Sequence, residues 1–143
     1  MSENKSNIRK ELTIEACTEN LYQVLAFVDE QLEYLGCSPA VQMRMDLVVE
    51  EIFANVANYA YAPQTGSVTV ICELESEPSA IILTFEDSGV PYDPLKKDDP
   101  DVTLSAEERQ IGGLGIFMIK KNVDDISYEW RDGKNILRIR KNL

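Results

Sequence analysis

Between Arg9 and Glu15 the chain alternates Leu12 and Ile14 with polar residues, the period of a half-buried strand. The period then changes. Leu21, Leu25, Val28, Leu32 and Leu35 recur at steps of three and four, which places all five on one face of a helix. Thr18 offers its N-cap, and Gly36 ends it. Ser38-Pro39 supplies a cap and then a proline at the first position of a second helix, whose pattern runs to about Tyr61 before Pro63 and Gly66 break the chain. Ser67 to Glu75 and Ala80 to Glu86 are rich in Val, Ile and Thr, and the polar Glu75-Ser76-Glu77-Pro78-Ser79 joins them as a hairpin. A polar loop runs from Pro91 to about Ile111. Gly113 to Asn122 then suits a short helix, and Ile126 to Trp130 with Asn135 to Arg140 suits a second hairpin around Arg131-Asp132-Gly133-Lys134. Grouped rather than alternating elements predict an α+β two-layer sandwich, with helices packed on one face of a mixed, mostly antiparallel sheet.

A chain of 143 residues has the size of one compact domain, so one domain over 1–143 is expected, with residues 1–8 a disordered start. The opening Met1 to Asn7 is polar, without the apolar run of a signal peptide, and no stretch of about 18 apolar residues occurs, so a soluble, cytoplasmic protein without membrane contact is expected. Its 25 acidic against 14 basic residues leave a net charge of −11, which repels a phosphate backbone and argues against direct nucleic-acid binding. Cys17, Cys37 and Cys72 are widely spaced and form no CxxC pair, so they read as small apolar residues. There is no histidine. That excludes a Ser-His-Asp or Cys-His mechanism and leaves chemistry to carboxylates, amides, backbone groups and a bound metal.

Three groups stand out. Glu51 and Asn55 lie four apart on the second helix and project from one face, with the small Ala54, Ala57 and Ala60 leaving room for a close approach; alone, such a pair is also what a solvated helix face looks like. Asp87 follows directly on the apolar run Ile81 to Phe85, in Asp87-Ser88-Gly89-Val90-Pro91-Tyr92-Asp93. A carboxylate at a strand end can accept a hydrogen bond from an exocyclic amine, and Gly89 would let a flat ring pass close to the backbone; the plain alternative is an ordinary Asp-Ser-Gly turn. Gly112-Gly113-Leu114-Gly115 sits where the polar loop meets a helix, and backbone N–H groups at such a junction favour an anion. The run is neither a Rossmann fingerprint, because Met118 stands where the third glycine would fall, nor a Walker A loop, which needs a following Lys and Ser/Thr. Length and the absence of its catalytic-loop motif exclude the protein-kinase fold.

In this fixed order the three groups resemble the superfamily of gyrase, Hsp90, MutL and histidine kinases, whose nucleotide-binding architecture is called the Bergerat fold. The likeness covers roughly Arg9 to Leu143. Within it, Glu51 to Tyr61 and Asp87 to Asp93 look like the anti-sigma regulatory serine/threonine kinases of the RsbW type, and the Gly112 to Ile119 run and the closing hairpin fit the same group. No residues remain for the separate dimerisation domain of a histidine kinase.

The resemblance implies ATP and Mg²⁺ as cofactors and gives each position a role. Asn55 would coordinate the metal, and Glu51 would be the base that deprotonates an attacking serine or threonine hydroxyl. Asp87 would bind the adenine amino group with Gly89 against the ring. Gly112, Gly113, Leu114 and Gly115 would close over the phosphates, with 93–111 as an ATP lid. Two positions depart from the family pattern: Tyr59 stands where many relatives carry histidine, and Ile111 where some carry a lid arginine, which leaves Arg109 as a substitute. The implied activity is that of a partner-switching regulator that phosphorylates an anti-sigma-factor antagonist, with a sigma factor as a second client and a homodimer as the assembly. A non-catalytic, nucleotide-gated binding module and a stand-alone ATPase are the competing readings.

Overall fold

The computed structural model describes residues 8–61, 64–76, 78–96 and 113–143. Its elements are β1 (Ile8–Glu15), α1 (Leu21–Leu35), α2 (Pro39–Asn55), β2 (Ser67–Glu75), β3 (Ala80–Asp87), α3 (Gly113–Asn122), β4 (Asp125–Arg131) and β5 (Lys134–Asn142). The strands form one sheet in the order β1-β2-β3-β5-β4, and all four pairings are antiparallel. This is the α+β sandwich, at the antiparallel limit of the mostly antiparallel sheet predicted.

Strand composition follows position in the sheet. The central β3 is buried from Ala80 through Phe85, so it reads as an almost unbroken apolar run. The edge strands β1 and β4 carry Arg9, Lys10, Glu11, Asp125, Glu129 and Arg131, charges that discourage pairing with another chain. Inward-facing Val68, Val70, Cys72 and Leu74 of β2, Ile81, Leu83 and Phe85 of β3 and Ile139 of β5 meet Val24, Val28 and Leu32 of α1, five residues of α2, and Ile116 and Ile119 of α3 in one core. Burial pushes the Cys72 thiol up to about 12, as a small apolar residue in a core requires, and all three cysteines are free.

The helix ends show where local chemistry acts. Ser38 Oγ accepts from the Val41 N–H at 3.2 Å, with Pro39 opening α2. Gly36 ends α1 at φ +73, a left-handed cap that glycine adopts without steric cost. Thr18 does not cap α1. It begins a 3-10 turn, Thr18–Asn20, and α1 starts only at Leu21. The buried stripe of α1 is also rotated from the one predicted: Val24 is fully buried with Val28 and Leu32, while Leu21, Leu25 and Leu35 pack at its margins. The second hairpin turns on Asp132 and Gly133, at φ 53 and 76, the two-residue turn that matches strand twist. Past Asn55 the helical pattern continues as predicted, but as a single π-helical segment, Val56–Ala60.

In the seam between α1 and α2, Asp29 and Asp46 bring their carboxyl groups together. Their Oδ1 atoms are buried and find no hydrogen-bond donor among the described residues. Burial and the facing Asp29 hold the Asp46 carboxyl up to about 7, because two carboxylates this close favour sharing one proton. A folded-state value above the ordinary 3.8 means that the fold takes up a proton the unfolded chain releases. The stabilisation is therefore complete below about pH 4 and is lost as pH rises through about 7. Asp46→Asn should flatten this slope and raise the melting temperature at pH 8 by about 4 °C, the shift that roughly 1 kcal/mol gives a domain of this size, with partial solvent screening keeping the effect small. Thermal melts of both proteins from pH 5 to 8 check it; parallel curves would remove the shared proton.

Candidate functional site

A cleft opens where the end of α2, the inner ends of β3 and β5, and α3 converge, with about 740 Å³ of empty space between its walls, its solvent-filled mouth included. One wall is Ile52, Asn55, Val56, Tyr59 and Ala60. The floor is Phe85, Asp87, Asn135 and Leu137, and Ile116 and Ile119 of α3 face them. Val90, Pro91, Tyr92 and Pro94 close one side, and Tyr128 of β4 completes the lining. A concave, mostly apolar lining with a few polar groups suits a small planar ligand with a polar edge.

Asp87, the last residue of β3, is buried at 7% exposure. A carboxylate so placed needs donors. Its Oδ1 accepts from the Gly89 N–H and from Asn135 Nδ2, each at 2.9 Å. The β3–β5 register sets this pair, because Asp87 and Asn135 are direct cross-strand partners. Asn135 uses its full capacity: Nδ2 also donates to the Val90 carbonyl at 2.8 Å, and Oδ1 accepts from the Tyr92 N–H at 3.0 Å and from the Tyr128 hydroxyl. Burial, with Asp93 and Asp87 nearby, raises the Tyr128 phenol above its ordinary value, so it stays a proton donor at neutral pH. Asp87 Oδ2 makes no hydrogen bond among the described residues, and Asp87 lines the cleft. One oxygen is committed to the fold. The other is uncommitted among the described residues.

Gly89 makes a close approach of its own, to protein backbone. A Cβ built on it would stand 2.2 Å from the Ala60 carbonyl oxygen and 2.7 Å from the Ala60 Cβ, and the Val90 N–H donates to the same carbonyl at 2.9 Å. Protein backbone takes the space that the missing side chain leaves, and Gly89 is not among the lining residues. The small alanines serve the same end, since Ala60 is the residue that meets Gly89. Tyr61 ties the turn from its other side: its hydroxyl donates to the Ser67 carbonyl at 2.6 Å and accepts from the Ser88 N–H at 2.7 Å.

The structure thus brings Asn55 and Asp87 into one cleft from different elements. Glu51 stands one turn before Asn55 on α2, partly exposed and outside the lining. Gly113, Leu114 and Gly115 form the first turn of α3. Gly112, Arg109 and Ile111 lie outside the described residues, as does the foreseen lid 93–111 apart from Asp93 to Lys96, of which Pro94 to Lys96 make a 3-10 turn. Tyr59 lines the cleft mouth at 43% exposure. No group of three His, Cys, Asp or Glu side chains able to hold a metal occurs among the described residues. An ion that keeps water and phosphate oxygens as most of its ligands does not need such a group.

Asn135, Tyr128 and Tyr61 were not singled out from the sequence. The available signal was parity: Asn135, Leu137 and Ile139 alternate toward the core, so Asn135 is a polar residue at an inward position. Asn135→Ala should cost about 3 kcal/mol, because it removes four buried or part-buried hydrogen bonds at once. Arg138→Ala, at an exposed position on the same strand, should cost under about 0.5 kcal/mol. Urea unfolding of the two variants checks the contrast, and equal midpoints would deny Asn135 its central place.

Residues 14–141 match the histidine kinase-like ATPase domain. BtrW, a serine/threonine-protein kinase of Bordetella bronchiseptica, is 24% identical over 143 residues, covering 97% of this chain and 94% of that protein. RsbW, a serine-protein kinase of Bacillus cereus, is 26% identical over 97 residues, 65% of this chain and 59% of its own length. The chain therefore spans nearly all of the first relative and about three fifths of the second. No helix among the described residues is long and apolar enough to cross a membrane. Because the domain match runs from β1 to the end of β5 and takes in every element that builds the cleft, this chain belongs to the histidine kinase-like ATPase domain family.

Proposed function

We propose that the chain is an ATP-dependent serine/threonine protein kinase that works in the cytoplasm as a partner-switching regulator and phosphorylates an anti-sigma-factor antagonist. The observation that carries the reading is the convergence of Asn55 and Asp87 on one cleft, with Glu51 a turn away on the same helix. The kinase names of two relatives support the reaction type. Asp87 Oδ2 accepts from the adenine amino group, and the apolar floor of Phe85 and Leu137 covers the ring. Asn55 would hold Mg²⁺ through its amide oxygen, and the ion would offset phosphate charge. Gly113 to Gly115, in the first turn of α3, present backbone N–H groups to the phosphates, and Gly112, outside the described residues, is assigned the same contact. Glu51 takes the proton of a serine or threonine hydroxyl as its oxygen bonds to the terminal phosphorus. The bond from that phosphorus to the bridging oxygen breaks, and ADP leaves.

A second reading has one observation in its favour: Glu51 lies outside the cleft lining, as it would in a nucleotide-gated binding module that transfers nothing. Glu51→Ala separates the two. In a kinase it should lower phosphate transfer by about 10² to 10⁴ while ATP affinity stays unchanged, because the base acts only at transfer. Rapid-quench assays with labelled ATP and calorimetric titration check it, and transfer at the wild-type rate would remove Glu51 from the base role.

Asp87→Asn tests the nucleotide assignment. The amide oxygen can keep both internal hydrogen bonds of Oδ1, so the fold should survive while Oδ2 becomes a donor. ATP at about 100 times its dissociation constant should stabilise wild type by roughly 2.7 kcal/mol, GTP by much less, and the variant should lose the difference. Equal thermal shifts for ATP and GTP in wild type would overturn the role of Asp87.

A further inference from the structure

Met43, Leu47, Glu51 and Asn55 follow one another at four-residue steps along α2. They make one ridge of the helix, winding by about 40° per step, with about 6 Å of rise between neighbours. Exposure grows along it away from the cleft. Asn55 lines the cleft and Glu51 is partly exposed, while Leu47 is 50% and Met43 63% exposed. Single exposed apolar residues are ordinary on a protein surface. Two neighbours on a ridge that ends at a catalytic carboxylate form a track.

The charge around the track is one-sided. Apart from Asp29 and Asp46 in the helix seam, the acidic residues of α1 and α2 are Glu30, Glu33, Glu50 and Glu51, and Arg44 is the single basic residue. Glu30, Glu33 and Glu50 are exposed. A second copy of this chain, itself at −11, would be repelled from such a face, and a small-molecule acceptor would have no use for apolar anchors outside the cleft.

We infer that Met43 and Leu47 are the docking anchors for the phosphoacceptor protein, and that its docking segment presents apolar side chains flanked by Lys or Arg, with the reacting Ser or Thr about 6 to 12 Å farther along toward Glu51. The inference rests on the kinase reading and adds to it what the substrate looks like. Apolar contact supplies the binding energy. The acidic helices supply steering, which favours a basic partner and weakens with salt.

The test uses the full chain, labelled ATP and the soluble protein of the native host, followed by the labelled polypeptide purified as acceptor. The double variant Met43→Ser/Leu47→Ser should raise the KM for the acceptor at least about tenfold and leave the KM for ATP and the ATP-induced thermal shift unchanged. Met43→Leu/Leu47→Met should restore the wild-type KM. Glu50→Lys should raise the acceptor KM, and added salt should do so in wild type while sparing the KM for ATP. Transfer by the serine variant with wild-type KM would overturn the docking track and leave the kinase reading intact. A serine variant that differs from wild type only in sedimentation would give the ridge to self-association and overturn the inference. Absence of any labelled polypeptide with wild type would overturn the kinase reading, and the docking inference would fall with it.

Discussion

A carboxylate at the buried end of the central strand cannot stand alone, and the way Asp87 is satisfied organises the ligand cleft around it. Its Oδ1 draws in the Gly89 N–H and the Asn135 amide, and Asn135 in turn fixes Val90, Tyr92 and Tyr128. One hydrogen-bonded side chain thereby ties the β3 end, the following loop, and strands β4 and β5 together. Such a network is rigid only when every member is paired, and Asn135 has no capacity left over. The floor of the cleft is settled by the fold before any ligand arrives, which lowers the ordering cost of binding.

The opposite wall is brought in by a second contact. The Ala60 carbonyl accepts from Val90, and its backbone lies so close to Gly89 that no side chain could stand between them. Ala60 ends a π-helical segment that continues α2, and a π turn changes the helical phase of the residues beyond it. Tyr59 reaches the cleft while Ala60 turns toward Gly89. Asn55 sits at the junction where the regular helix gives way to this segment. Its position relative to Asp87 thus depends on backbone packing as much as on the four-residue spacing to Glu51.

Much of this was legible in the chain. The apolar run of β3 announced a strand buried on both faces, and an acid directly after it announced an unusual strand end. Asp132-Gly133 announced the second hairpin through turn chemistry. What stayed hidden needed register. Asn135 reads as one polar residue between Lys134 and Ile136 until the β3–β5 pairing sets it opposite Asp87. Asp29 and Asp46 each read as a polar helix position, and only the packing of α1 on α2 makes them meet. The approach of Ala60 to Gly89 likewise needed the packing of the segment that continues α2 against the turn after β3. Thr18 failed as a cap because a 3-10 turn precedes the helix, an outcome decided by how the chain leaves β1.

Charge sets the last constraint. The cleft is lined by one acidic residue, Asp87, and by no lysine or arginine among the described residues, in a chain whose net charge is −11. A nucleoside triphosphate entering it brings further negative charge, so side-chain cations of the described lining do nothing to hold the phosphates. In the proposed kinase, compensation would fall to backbone N–H groups at the start of α3 and to a divalent ion held by the Asn55 amide. A binding energy divided in this way would be cooperative, because one amide alone would hold a divalent ion weakly. Under the same proposal, adenine recognition at Asp87 and phosphate capture at Asn55 would act on opposite ends of one ligand. The exposed acids of α1 and α2 that would make this arrangement costly for the nucleotide are the same ones that would favour the basic acceptor proposed for Glu51.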